Sequence, residues 1–146
     1  IHHLEHGMAL FTTLHMRQRA REGAPTEPGP AAPGASGGSS ARLQAAERWV
    51  RTRLCAPLAL EDLARAAGVS SRTFYMDCMR QLGVGPMAWL RDLRLDSARR
   101  QLLTDPGRNI TDVATDCGFG HLGRFSAYYQ RRFGELPRDT VARALR

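Results

Sequence analysis

From Ser40 to the end of the chain, large apolar side chains return every three to four residues, the period of a helix with one buried face. No segment shows the strict two-residue alternation of a half-buried strand. Proline and glycine punctuate the pattern and mark where helices start and stop. A helix capped by Ser40 is predicted through Trp49 and Val50 to about Leu54, with Pro57 as its break. The stretch LEDLARAAG (60–68) predicts a short helix with acids in its first turn, which suits the helix dipole, and a glycine stop. A second helix is predicted from Ser70 or Ser71 to Gly83, and Pro86 opens a long one, PMAWLRDLRLDSARRQLL. TDVATDCG (111–118) is another short helix, SAYYQRRF lies in the next, and a last short helix follows Pro137. The expected fold class is all-α, with about seven helices.

An internal repeat organises these elements. Leu60, Leu63, Ala64, Ala67, Gly68 and Val69 return 50 residues later as Ile110, Val113, Ala114, Cys117, Gly118 and Phe119. After one added residue, Phe74, Cys78, Leu82, Gly83 and Pro86 return 51 residues later as Phe125, Tyr129, Phe133, Gly134 and Pro137. The offset changes only inside the turn, where an insertion costs least. Each copy reads short helix, glycine turn, longer helix. Alanine at 64 and 114 lets the two helices approach, and glycine at 68 and 118 permits the positive φ of a tight turn. That is the form of a helix-turn-helix, whose second helix enters the DNA major groove. The expected boundaries are about 58–83 and 110–134 for the two units and about 86–103 for the helix between them.

The second copy carries its chemistry in DCGFGHLGRFSAYYQRRFGELP (116–137). Leu122, Phe125, Tyr129 and Phe133 share one helical face and are expected in the core. His121, Gly123, Arg124 and Ala127 lie off that face near the N-terminal end, the end that a recognition helix presents to the groove. Small residues let the backbone come close to base pairs while Arg124 reaches out; the alternative for Arg124 is a solvated surface charge. Arg131 and Arg132, further along, suit phosphates.

Charge supports a polyanionic partner. Residues 1–40 hold three Arg and three acids, whereas residues 41–146 hold 18 Arg and 11 acids and so carry the whole net +7. There is no Lys. Arginine's planar fork grips phosphates and guanine edges in two places at once, although a GC-rich genome would also favour Arg codons. Cys55, Cys78 and Cys117 are odd in number and lack metal-ligand pair spacing, so they are expected as reduced, mostly buried thiols. No stretch approaches the ~18–20 unbroken apolar residues of a membrane span. A cytoplasmic protein with no cofactor is expected.

Residues 1–21 read as a short amphipathic helix, with Ile1, Leu4, Met8 and Phe11 on one stripe widened by Leu10 and Leu14. It is expected as the end of an upstream domain or as a dimer helix, because such a helix is unstable alone. The chain starts at Ile1 rather than Met and so reads as a fragment. His2, His3 and His6 find no acid or thiol to complete a metal set, and no metal site is expected. Residues 22–40 hold four Pro, five Gly and three Ser and are expected as a flexible tether, with an r.m.s. reach of roughly 25 Å.

Residues 42–143 strongly resemble the DNA-binding domain of the AraC/XylS family of bacterial transcription regulators. LEDLARAAGVSSRTF, GVGPMAWLRDLRLDSARRQLL and above all ITDVATDCGFGHLGRFSAYYQRRFGELP carry the resemblance. It implies two helix-turn-helix units whose recognition helices enter successive major grooves on one DNA face, in a nucleoid-associated regulator, an activator that works with RNA polymerase. HLGRF looks closest to members with an upstream cupin-like sensing domain, so a small-molecule effector would act only through that part. By position, Arg72, Tyr75 and Met76 match base-reading residues, and Ser71 and Thr73 match backbone-contacting ones. Gly123, Arg124 and Ala127 match base-reading residues in the second unit, with His121 nearby and Arg131 at phosphate. The family often has Gln and Arg at the places of Tyr75 and Met76, Phe at that of Cys78 and a basic group at that of Ala127. Tyr75 and Met76 would therefore meet thymine methyls, or the first unit would only clamp the backbone. Asp77 would repel phosphate if it faced DNA. Arg94 is expected as a structural residue in an ion pair with a nearby acid.

Other classes stay open on the sequence. A methyl-transferring DNA-repair enzyme can carry this domain type on a reactive Cys, but Cys78 and Cys117 fall at packing positions and Cys55 has no evident base beside it. A helical interaction module would turn the same basic face to acidic protein instead of double-stranded DNA, and a nonspecific DNA-binding module would hold any duplex without reading its sequence.

Overall fold

The computed structural model describes residues 38–146; the expected helix in 1–21 and the tether up to 37 lie outside the described residues. Seven helices and no strand occur among the described residues. They are α1 (Ser39–Arg51), α2 (Leu60–Ala67), α3 (Ser71–Leu82), α4 (Pro86–Thr104), α5 (Ile110–Asp116), α6 (Leu122–Phe133) and α7 (Pro137–Ala144).

The first helix differs from expectation at both ends. Gly38, not Ser40, holds the cap position, and the Ser39 hydroxyl instead accepts a hydrogen bond from Gln81 Nε2 at 2.7 Å. The helix stops at Arg51, three residues early, where the Thr52 hydroxyl donates to the Trp49 carbonyl. The residues so released form a loop, 52–59, whose carbonyls are used elsewhere.

The two turns of the repeat are built alike. Gly68 and Gly118 take φ of +73° and +85°. In each turn the glycine N–H and the next N–H donate back into the preceding helix: Val69 N to Ala64 O at 3.0 Å, and Phe119 N to Ala114 O at 2.9 Å. These bonds satisfy carbonyls that a helix end otherwise leaves open. The longer helices start differently. Ser70 caps α3 by accepting from Thr73 N at 3.2 Å, whereas His121 at the same place on α6 makes no side-chain cap.

Each copy builds its own core. Leu43, Ala46, Val50, Leu63, Phe74, Cys78, Trp89, Leu90 and Leu93 form the first, with Phe74 edge-on to Trp89. Leu95, Ala98, Leu102, Val113, Ala114, Cys117, Phe125 and Tyr129 form the second. Both draw on α4, and they divide it between Leu93 and Leu95. Two residues along a helix turn the side chain by about 200°, so α4 presents one face to each core. Leu122, expected inside, stays largely exposed: it starts its helix, one turn beyond the reach of the second core.

Polar contacts fix the rest. The Tyr129 hydroxyl meets Thr140 Oγ1 at 2.8 Å, and Thr140 in turn donates to Glu135, which also pairs with Arg99 and Arg143. Arg94 corrects an expectation. It finds no acid; its Nε donates to the Leu54 carbonyl at 2.9 Å and its Nη2 to the Ala56 carbonyl at 2.7 Å. Burial lowers its pKa, as expected for a cation held by dipoles and not by a carboxylate. A sequence pattern points to acids close in the chain, whereas the 52–59 loop that engages Arg94 lies some 40 residues away.

Candidate nucleic-acid interface

Phe74, Asp77 and Cys78 anchor α3 inward, which turns Arg72, Tyr75, Met76, Met79 and Arg80 out to solvent. Phe125 and Tyr129 anchor α6 inward, which turns Gly123, Ala127, Gln130 and Arg131 out in the places of Arg72, Met76, Met79 and Arg80, and Arg124 out in the place of the half-buried Thr73, with His121 exposed at the helix start. Ser71 and Thr73 are half-buried in the first turn of α3, where the Ser70 hydroxyl also donates to Thr73 Oγ1 at 3.0 Å. Apart from Ser71 and Thr73, the sequence-predicted residues thus fall on two outward helix faces, one per repeat.

No acid faces outward on either helix. Asp77 is the sole acid in α3 and α6, and it is buried. Arg42 of α1 holds both its oxygens, at 2.7 and 3.0 Å, so the expected threat of repulsion from phosphate is absent. Planar, two-point gripping of a buried carboxylate is what arginine's fork does best. Among the described residues, Arg72, Arg80 and Arg124 have no ion-pair partner and no hydrogen bond from their side chains. Arg131 leans over the Tyr128 ring, 5.9 Å from its centroid, and Arg91 covers the same ring at 4.4 Å. Arg132, expected at phosphate, is tied back to the long helix: it grips Asp96 with two bonds of 2.9 Å and lies 3.3 Å from Asp92.

Three exposed residues on these faces were missed: Met79, Arg80 and Gln130. The 51-residue offset carried the signal, since it pairs Met79 with Gln130 and Arg80 with Arg131.

Cys78 and Cys117 are fully buried, and burial pushes both thiols up, that of Cys78 to about 12 with help from Asp77. Both lack the exposure that a reactive thiol needs. Cys55, expected among mostly buried thiols, is exposed, because it lies in the loop that α1 leaves by ending early. No group of three metal-ligating side chains occurs among the described residues. Nor is any helix among them long and apolar enough to cross a membrane.

A family model described as a helix-turn-helix domain matches residues 63–143, more than half of the chain, and spans both copies of the repeat. The chain belongs to the AraC/XylS family. Among the relatives of this AraC-type domain is the XylDLEGF operon transcriptional activator of Pseudomonas putida, 39% identical over 97 residues. That match covers 64% of this chain and 30% of the relative, so the chain spans about a third of that relative's length. In structure, the AraC-type domain is similar to a transcriptional regulator from Chromobacterium violaceum described as AraC-type DNA-binding domain-containing. The TM-score is 0.67 at 31% identity, over 73% of this chain and 94% of the other. A probable AraC family transcriptional regulator from Rhodopseudomonas palustris CGA009 follows, with a TM-score of 0.61 at 33% identity over 70% and 96%. The family and these relatives are regulators, not enzymes.

Proposed function

We propose that residues 41–146 are the DNA-binding domain of a transcription activator, with α3 and α6 as recognition helices entering successive major grooves on one face of the duplex. One observation carries this reading: both repeats turn an acid-free, arginine-bearing helix face outward, while the acid that would spoil it is buried against Arg42. In the first unit Arg72, Tyr75 and Met76 meet base edges, with Tyr75 and Met76 suited to thymine methyls, and Ser71 and Thr73 meet the backbone. In the second, Gly123 and Ala127 admit the backbone to the groove floor, Arg124 reads a base edge with His121 beside it, and Arg131 meets phosphate. Residues 1–21 are the end of an upstream domain and the residues from 22 up to the start of α1 its tether, which ends before Ser39 and so earlier than the sequence pattern suggests; any effector acts through that upstream part. Activation follows the naming of the P. putida relative, and contact with RNA polymerase is part of this proposal alone.

Selection of bound duplexes from a random pool, followed by footprinting of the winner, tests the reading. Two motifs centred roughly 10 bp apart on one face support two working recognition helices. One motif beside an unselective protected stretch would mean that α6 reads sequence and α3 only clamps. Binding to no duplex even at low salt would overturn the proposal and favour a protein-interaction surface.

A further inference from the structure

The two cores share α4 but no buried apolar cluster, so what fixes the angle between the two units is a separate matter from what folds each one. Arg94 stands on α4 between Leu93 of the first core and Leu95 of the second. Its guanidinium bonds to two carbonyls of the 52–59 loop, which belongs to the first unit. Gly118, in the turn of the second unit, packs directly on this contact. A Cβ at 118 would clash with the Leu54 carbonyl oxygen and lie 2.9 Å from Arg94 Nε and Cζ. The α1–α2 loop, α4 and the second turn therefore meet at one arginine. A planar fork is needed to serve two carbonyls at once; an ammonium is a single point of charge.

We propose that Arg94 is a positioning residue: by bridging Leu54 and Ala56 under Gly118 it sets the separation of α3 and α6, and with it the half-site spacing the domain accepts. This rests on the two-groove reading above. The bland alternative is that Arg94 merely ties down the 52–59 loop and stabilises the first unit.

Two readouts separate them, both on the full chain. First, spin labels on cysteines introduced at the exposed positions Met79 and Gln130, in a Cys55→Ser background, report the distance between α3 and α6 without DNA. One narrow distribution is expected with Arg94 present, and a distribution at least about twice as wide in Arg94→Ala, since the fork is lost. Should Arg94→Ala fail to fold, Arg94→Lys keeps the charge on a single donor nitrogen in place of the two that Arg94 uses, and is expected to broaden the distribution part-way. Second, duplexes carry the selected half-sites at the selected spacing and at one base pair more or less. Moving the spacing should cost the native chain about tenfold in affinity and Arg94→Ala less than about threefold. A folded variant with a narrow distribution and the native spacing penalty would overturn the joint itself. A broadened variant, beside a native chain indifferent to spacing, would instead overturn the link to DNA and the two-groove reading with it.

Discussion

Arg131 and Arg132 are adjacent in sequence and opposite in surroundings. Arg131 rests on a ring and faces solvent, while Arg132 is gripped by Asp96 and approached by Asp92. Arg131→Ala should therefore weaken binding evenly across sequences and reduce the slope of log affinity against log salt by about one. Arg132→Ala should leave that slope alone and cost roughly 0.2–1 kcal/mol of stability in urea, since the network is partly exposed. Arg124→Ala should cost ~1–3 kcal/mol of binding and relax preference at one site position; an even loss across sequences would assign it to phosphate. Thiol chemistry separates at the same scale. A thiol probe should modify Cys55 promptly in the folded protein and reach Cys78 and Cys117 only as fast as the chain opens, as labelling followed by mass spectrometry would show. The partners of Asp77 and Arg94 could not be read in advance. Arg42 lies 35 residues from Asp77, and the Leu54 carbonyl 40 from Arg94, and single-sequence periodicity holds no information on such pairs.

Among the elements, the two glycine turns were legible because a repeat shows the same demand twice. Both glycines have the positive φ that the pattern called for, and both turns make the same backbone bonds. Their surroundings were not legible. Nothing lies within 4 Å of a Cβ built on Gly68, whereas one on Gly118 meets Leu54 and Arg94. Gly68→Ala should cost ~1–2 kcal/mol, the strain of a left-handed conformation alone. Gly118→Ala should cost that and a further ~1–3 kcal/mol for overpacking. Equal losses in urea denaturation would show that the second turn yields without cost. The end of α1 was misjudged for a related reason. Apolar spacing continues to Leu54, but those residues serve as a loop that offers carbonyls to Arg94, a use that periodicity cannot express.

At the scale of the whole molecule, each unit carries its own fully buried centre, and α4 runs through both. Leu63→Ala and Leu102→Ala should each cost about 2–5 kcal/mol, but in different places. Hydrogen exchange should show Leu63→Ala lowering protection across α1–α3 more than α5–α7, and Leu102→Ala the reverse. A uniform loss would mean that the two halves open only together. Their separateness has a consequence for inheritance. A substitution on the outer face of α3 disturbs no side chain that α6 depends on, and the converse holds as well. With α3 and α6 each reading one half of an operator, as proposed above, such a protein can acquire a new operator one half at a time, keeping a foothold on the old site while the other half drifts.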